Sequence, residues 1–255
     1  MPTALSVFLY VYVFLAGSVL GSFLNVVIYR APRGLSFAKG RSFCPARGHT
    51  LSAADLVPFF SWLFLGRRCR YCGAPISARY PLVELLGGVL AVLCCLHDGF
   101  TWRALAAFAV FAVILCISFI DCDTMEIGDG FLLLLAALVL AGSLLAPETG
   151  WWTRAIGFFA ISLPMFLLTL LIPDCFGGGD IKFIAVCGFW LGWKLALVAM
   201  FAAILAGGLW GIWLLASKNA SRKSHFAFGP FLGAGVAAAY LWGDAVLRFY
   251  LNFFQ

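Results

Sequence analysis

Charged side chains are scarce in this 255-residue chain: Asp, Glu, Lys and Arg make up 11% of it, against 64% hydrophobic residues. Soluble domains carry about 25% charge, so these few cannot cover a water-facing surface. Histidine is scarcer still. The three present stand in no serine- or cysteine-hydrolase motif, which leaves acid–base chemistry to the carboxylates. The Lys and Arg residues are not interleaved with aromatics on a polar face, so no nucleic-acid partner is expected. Internal repeats and low-complexity tracts are also missing.

What the chain has in abundance is apolar sequence in long blocks, with a mean hydropathy of +1.02. About 20 apolar residues span a bilayer as a helix. Blocks of that kind run over residues 5–28, 80–96, 102–120, 131–145, 156–172, 181–193, 195–215 and 228–254. The expected fold is all-α, a polytopic membrane protein of about eight transmembrane helices with a small lobe between the first two. The bilayer is its first partner. The expected division is 1–29 for the first transmembrane helix, 30–79 for a Cys- and Arg-rich lobe, and 80–255 for the remaining membrane domain. The first block lacks a small-residue cleavage site and reads as a retained helix.

The net charge of +6 is a topology signal, because Lys and Arg concentrate on the cytoplasmic side. Residues 30–79 hold nine Arg or Lys against the single acid Asp55. That lobe is expected inside, and eight spans would also put the basic loop of Lys218, Arg222 and Lys223 inside. Within the lobe, the apolar stretch 57–65 is too short to span and is expected to lie on the membrane surface, with Trp62 at headgroup level. Six of the nine cysteines sit in or beside apolar blocks and read as small hydrophobes. Cys44, Cys69 and Cys72 sit in the polar lobe, which faces a reducing compartment, so a metal is a better expectation than a disulfide.

A carboxylate in hydrocarbon costs at least ~2.5 kcal/mol, so acids at helix ends need a reason. One cluster holds Asp121, Asp123, Glu126 and Asp129, and a second is Gly177-Gly178-Gly179-Asp180-Ile181-Lys182. Counting helices puts both on the cytoplasmic face. The glycines offer unusual torsions and close approach, and with Lys182 they support the Asp180 loop. Two carboxylates sharing a site keep one proton between them. One can then activate water while the other donates to an oxyanion. Helix ends suggest Asp180 for the first role and Asp121 for the second. The rival reading is a transporter or proton/ion pathway that uses the same intramembrane acids.

Several strings together resemble the type IV prepilin peptidases, bifunctional leader peptidases and N-methyltransferases. They are 21–30 (GSFLNVVIYR), 67–72 (RRCRYC), 76–84 (ISARYPLVE), Gly177-Gly178-Gly179-Asp180 and Phe228-Gly229-Pro230-Phe231. The resemblance implies Asp121 and Asp180 as the catalytic pair, with Gly177, Gly179 and Lys182 as loop support. Gly128 stands where the family usually has proline. It implies as substrates the N-terminal segments of type IV prepilins or pseudopilins, cut after a glycine. No cofactor is implied for cleavage. Methylation of the new N-terminus would follow from S-adenosylmethionine, with Glu84, Asn25 and Arg79 in the methyl-transfer region. The expected location is the bacterial inner membrane, with the first loop and the aspartates cytoplasmic. Many members pair two C-x-x-C motifs around zinc. Here Cys69 and Cys72 are intact, but Arg47 replaces the partner of Cys44, and His49 is the available fourth ligand.

Overall fold

The computed structural model describes residues 4–172, 175–217 and 226–253. The helices are α1 (Ala4–Arg30), α2 (Phe60–Phe64), α3 (Arg79–Asp98), α4 (Trp102–Thr124), α5 (Asp129–Leu144), α6 (Trp151–Leu171), α7 (Gly178–Leu191), α8 (Trp193–Ala216) and α9 (Gly229–Asn252). Each apolar block falls on one of the eight longer helices. The protein is an all-helical, polytopic membrane protein. Among the described residues six helices, α1, α3, α4, α6, α8 and α9, are long and apolar enough to cross a bilayer. The other two are shorter: α5 has 16 residues and α7 has 14. At 1.5 Å per residue α7 is about 21 Å long, short of the ~30 Å hydrocarbon core. The basic loop of Lys218, Arg222 and Lys223 lies outside the described residues.

The chain forms two compact units, Met1–Phe108 and Ala109–Gln255. In the first, α1 lies against α3 at backbone distance. A Cβ on Gly21 would sit 2.8 Å from the Cα of Glu84, the kind of approach small residues allow between membrane helices. At the end of α1 the buried Arg30 turns the chain into the lobe. Its guanidinium donates to the carbonyls of Ser36 and Lys39, both at 2.9 Å, and of Arg41 at 2.8 Å. Five donors in a rigid fork suit such a hub.

The lobe is built on turns and side-chain caps. Asp55 caps the short turn Ala53–Leu56, accepting from the Ser52 backbone (3.0 Å), the Ser52 hydroxyl (2.7 Å) and Arg70 Nε (2.8 Å). Burial alone would raise this carboxyl. The bonds from Ser52, Tyr71 and Arg70 outweigh it and bring the pKa down to about 2. The apolar stretch 57–65 contributes only the five-residue α2, with Phe60, Leu63 and Phe64 exposed. Trp62 donates its indole N–H to the Ile76 carbonyl at 3.0 Å, so the lobe itself satisfies its polar edge.

In the second unit α6 packs on α7, α8 on α9, and α5 on α7. Arg154, one of the sparse cations outside the lobe, is 1% exposed. It donates to the carbonyl of Ala146 (2.8 Å), just past α5, and to that of Trp190 (2.9 Å) near the end of α7. Helix C-termini leave carbonyls without intrahelical partners, and Arg154 satisfies them for two helices at once.

Candidate active site and metal centre

Asp121 sits in the last turn of α4 and is 5% exposed. The Thr124 hydroxyl donates to the Ile120 carbonyl at 2.9 Å. Met125 then takes a left-handed φ of 54° and ends the helix. From the other end of the sequence, α9 begins against this turn. The backbone N–H of Gly229 donates to Asp121 Oδ2 at 2.9 Å. A Cβ on residue 229 would lie 2.7 Å from that oxygen, so only glycine lets this backbone come so close. Gly229 was quoted above as part of a family string without a role; its place here is the site feature that the residue types did not disclose.

Asp180 is the third residue of α7, half-buried. It lies within electrostatic reach of Asp121. The three glycines before it do different things. None has a positive φ, so unusual torsions are not their function. A Cβ on Gly179 would meet the Ile127 side chain at 2.8 Å, so Gly179 lets α7 start against the chain that leaves α4. A Cβ on Gly177 would come within 3.2 Å of Asp180 Oδ2, whereas one on Gly178 would meet none of the described residues within 4 Å.

The other acids of the first cluster are placed differently. Asp129 opens α5 and pairs with Lys182 Nζ at 2.7 Å, both side chains being well exposed. Asp123 is exposed at the end of α4. Asp180 is therefore the acid within electrostatic reach of Asp121, whereas Lys182 pairs with Asp129. The N-terminal end of α9 at Asp121 also means that both carboxylates face the start of a helix. Helix ends alone thus cease to separate an acid from a base.

In the lobe two similar turns face one another. In the first, the Cys44 N–H donates to the His49 carbonyl at 2.9 Å and the Gly48 N–H to the Cys44 carbonyl at 2.8 Å. In the second, Cys69 N–H reaches Ala74 at 2.8 Å and Gly73 N–H reaches Cys69 at 2.9 Å. Gly48 and Gly73 take left-handed φ values of 72° and 69°. Cys44 Sγ lies 3.7 Å from Cys72 Sγ, and Cys69 Sγ 3.4 Å from His49 Nε2. Donor atoms of Cys44, His49 and Cys72 all lie within 4.8 Å of one another. A tetrahedral zinc with bonds of about 2.3 Å to sulfur and 2.0–2.1 Å to nitrogen needs donor separations of about 3.5–3.8 Å. Cys44, His49 and Cys72 could hold such an ion, and Cys69 lies beside His49. Burial would raise the Cys69 thiol, but N–H groups of Tyr71 and Cys72 and the neighbouring thiols lower it to about 7.

Glu84 and Asn25 lie on the α1–α3 seam of the same unit. Glu84 is buried, and its Oε2 accepts the Phe59 N–H at 2.7 Å. Phe59 itself has a left-handed φ of 61°. The buried Asn25 donates to the Tyr80 carbonyl at 3.0 Å. Arg79 opens α3, its backbone N–H bonded to the Ser77 hydroxyl at 3.2 Å.

Comparison with known proteins bears on both sites. Residues 15–97 match the model of the bacterial peptidase A24 N-terminal domain, and residues 107–212 that of the type IV leader peptidase family. The chain is 35% identical over 271 residues to the prepilin leader peptidase/N-methyltransferase of Aeromonas hydrophila, covering 95% of this chain and 93% of that one. The chain belongs to the type IV leader peptidase family. Proteins of the same name from Pseudomonas aeruginosa and Bacillus subtilis are 32% and 31% identical, each over 94% of this chain and over 92% and 96% of their own. No solved structure gives a significant match. The leader peptidase match contains Asp121 and Asp180, and the N-terminal match contains the lobe cysteines, His49 and Glu84.

Proposed function

We propose that this protein is a membrane aspartic endopeptidase that removes the leader from type IV prepilins or pseudopilins after a glycine. It then methylates the new N-terminal amine. Both steps take place on the cytoplasmic side of the bacterial inner membrane. The observation that carries the reading is that Asp121 and Asp180, from separate helices, lie within electrostatic reach of one another, with a backbone N–H held on Asp121. The names of the relatives favour it over an ion pathway.

Two neighbouring carboxylates of like charge do not both ionise readily, so the pair holds one proton and titrates as a unit. Asp121 Oδ2 accepts from Gly229, so the shared proton belongs to one of the other carboxyl oxygens. The ionised partner takes a proton from water as it attacks the scissile carbonyl. The protonated partner donates to the developing oxyanion; as the C–N bond breaks, the proton taken from water passes to the leaving amine and a hydroxyl proton of the tetrahedral diol returns to the other carboxylate. No covalent intermediate is needed.

Cys44, His49, Cys69 and Cys72 would hold a zinc ion that cross-links the two lobe turns. S-adenosylmethionine would supply the methyl group, and Glu84, Asn25 and Arg79 mark the region of the first unit assigned to that step. The test is incubation of the purified protein with a prepilin in detergent, followed by mass measurement of the product. Loss of the leader and gain of one methyl group are expected as two separate mass changes. A prepilin left intact would overturn the reading.

A further inference from the structure

Within the first turn of α9 one backbone donor is left over, and it goes to Asp121. Pro230 has no N–H, and Phe231 and Leu232 both donate to the Phe228 carbonyl, at 3.0 and 3.1 Å. That leaves the Gly229 N–H, whose 2.9 Å bond ends on Asp121 Oδ2. Two other helices decide where this donor stands. On one side, α9 lies against α4. Gly233 is one turn on from Gly229 and so on the same face. A Cβ there would come within 2.7 Å of Ser118 Oγ, one turn before Asp121. On the other side, Phe228 sets its ring into a notch on α8. The notch exists because residue 207 is glycine: a Cβ there would lie 3.2 Å from Phe228 Cε2 and 3.5 Å from Phe231 Cγ. The Phe231 ring in turn lies edge-on to Phe226, with centroids 5.8 Å apart, and 6.4 Å from Trp210 of α8. The residue before the donor is thus seated in α8, although α8 brings no acid to the site.

On the peptidase reading above, we infer that Phe228 is a positioning residue for cleavage: seated in the Gly207 notch, it holds the Gly229 N–H on Asp121 Oδ2 and so fixes the plane of that carboxyl. A carboxyl that keeps one oxygen on a fixed N–H cannot turn freely about its Cβ–Cγ bond. Its other oxygen, Oδ1, then stays aimed in one direction for proton transfer. Such transfer needs heavy atoms within about 2.6–3.2 Å, and a misplacement of about 1 Å costs on the order of 10²-fold in rate. The missing side chain at 207 and the ring at 228 are complementary in volume, so a change at one should be offset by a change at the other. A ring that only filled space between α8 and α9 would show no such link to the rate.

The test is a double substitution in the full-length protein in detergent, with prepilin as substrate. Gly207→Val closes the notch and should lower kcat tenfold or more with KM within twofold. Phe228→Leu alone leaves the notch half empty and should cost a few-fold. Added to Gly207→Val, Phe228→Leu should bring kcat back to within about threefold of the unmodified protein. Gly243→Ala is the control. It presses on the same helix pair, its Cβ 2.6 Å from Leu195 Cδ2, but about 21 Å along α9 from Gly229. It should leave kcat within twofold. Hydrogen exchange at the Gly229 amide, read by NMR with isotope-labelled glycine, should accelerate at least tenfold in Gly207→Val and slow again on adding Phe228→Leu. Should Gly207→Val fail to fold, Gly207→Ala displaces the ring by only a few tenths of an ångström and should show the same pattern at a few-fold in kcat. Unchanged kcat in the Gly207 variants, no recovery on adding Phe228→Leu, or an equal loss in Gly243→Ala would each overturn the inference. Failure of the peptidase reading looks different: the unmodified protein would leave prepilin intact, while exchange at Gly229 would still report on the seat.

Discussion

A backbone N–H 2.9 Å from Asp121 Oδ2 exists only because residue 229 has no side chain. With a Cβ 2.7 Å from that oxygen, Gly229→Ala must push either α9 or the carboxyl aside. Displacements of about 1 Å in a catalytic group cost on the order of 10²-fold in rate. Gly229→Ala should therefore lower kcat for prepilin cleavage 10- to 100-fold with KM little changed, read by single-turnover gel assay. Asp121→Asn and Asp180→Asn remove the proton-transfer groups themselves and should each lower it at least 10³-fold. Asp129→Asn breaks only an exposed pair with Lys182, worth under ~1 kcal/mol, and should cost a few-fold at most. Equal losses at Asp121 and Asp129 would dismantle the proposed pair.

The elements differ in how far they can be read from the chain. Apolar block length disclosed the eight longer helices, since a membrane helix is a local feature of composition. The shortness of α5 and α7 was legible too, because their apolar blocks, 131–145 and 181–193, are close to the helices in length. Asp180 stood out by its glycines, yet the reason for Gly179 is Ile127, more than fifty residues earlier. Nothing in the chain marks Arg154 as a structural hub, because its partners are backbone carbonyls and the Ser143 hydroxyl, groups the sequence has everywhere. The lobe shows the same division. Three cysteines and His49 were legible as donors, whereas the two matching turns that aim them depend on left-handed Gly48 and Gly73.

That match between turns makes a prediction at the same scale. Arg47 occupies in the first turn the place that Cys72 holds in the second. His49→Ala should weaken zinc binding 10- to 100-fold by competition with a chelator, and adding Arg47→Cys should restore it. No rescue would mean that the turns are not equivalent. Asp55 gives the lobe a pH limit. Its pKa is about 2 against an ordinary 3.8. Its ionised form therefore stabilises the lobe fully above about pH 4, and that contribution fades as pH falls through 2. After screening by solvent it is on the order of 1–2 kcal/mol. Hydrogen exchange of amides in residues 42–76 should accelerate between pH 4 and 2 relative to intrinsic rates. Asp55→Asn should show the faster exchange already at pH 7.

At the scale of the whole molecule, the two sets of proposed site residues belong to different units. Asp121, Asp180 and Gly229 lie in Ala109–Gln255, whereas Cys44, Cys69, Cys72, His49, Glu84 and Asn25 lie in Met1–Phe108. If each unit carries one activity, the activities should separate by mutation. Glu84→Gln keeps a carbonyl oxygen for the Phe59 N–H, removes the carboxylate and leaves the helix packing in place, so it tests the carboxylate rather than the fold. A carboxylate is a natural partner for the sulfonium of a methyl donor, so this variant should cleave prepilin at the normal rate and methylate it at least tenfold more slowly. Asp180→Asn should do the reverse, failing on prepilin but methylating a pilin supplied with its leader already removed. Both measurements come from product mass, in detergent without a membrane gradient, where an ion pathway would have nothing to drive it. Loss of both activities in either variant would mean that one site serves both reactions.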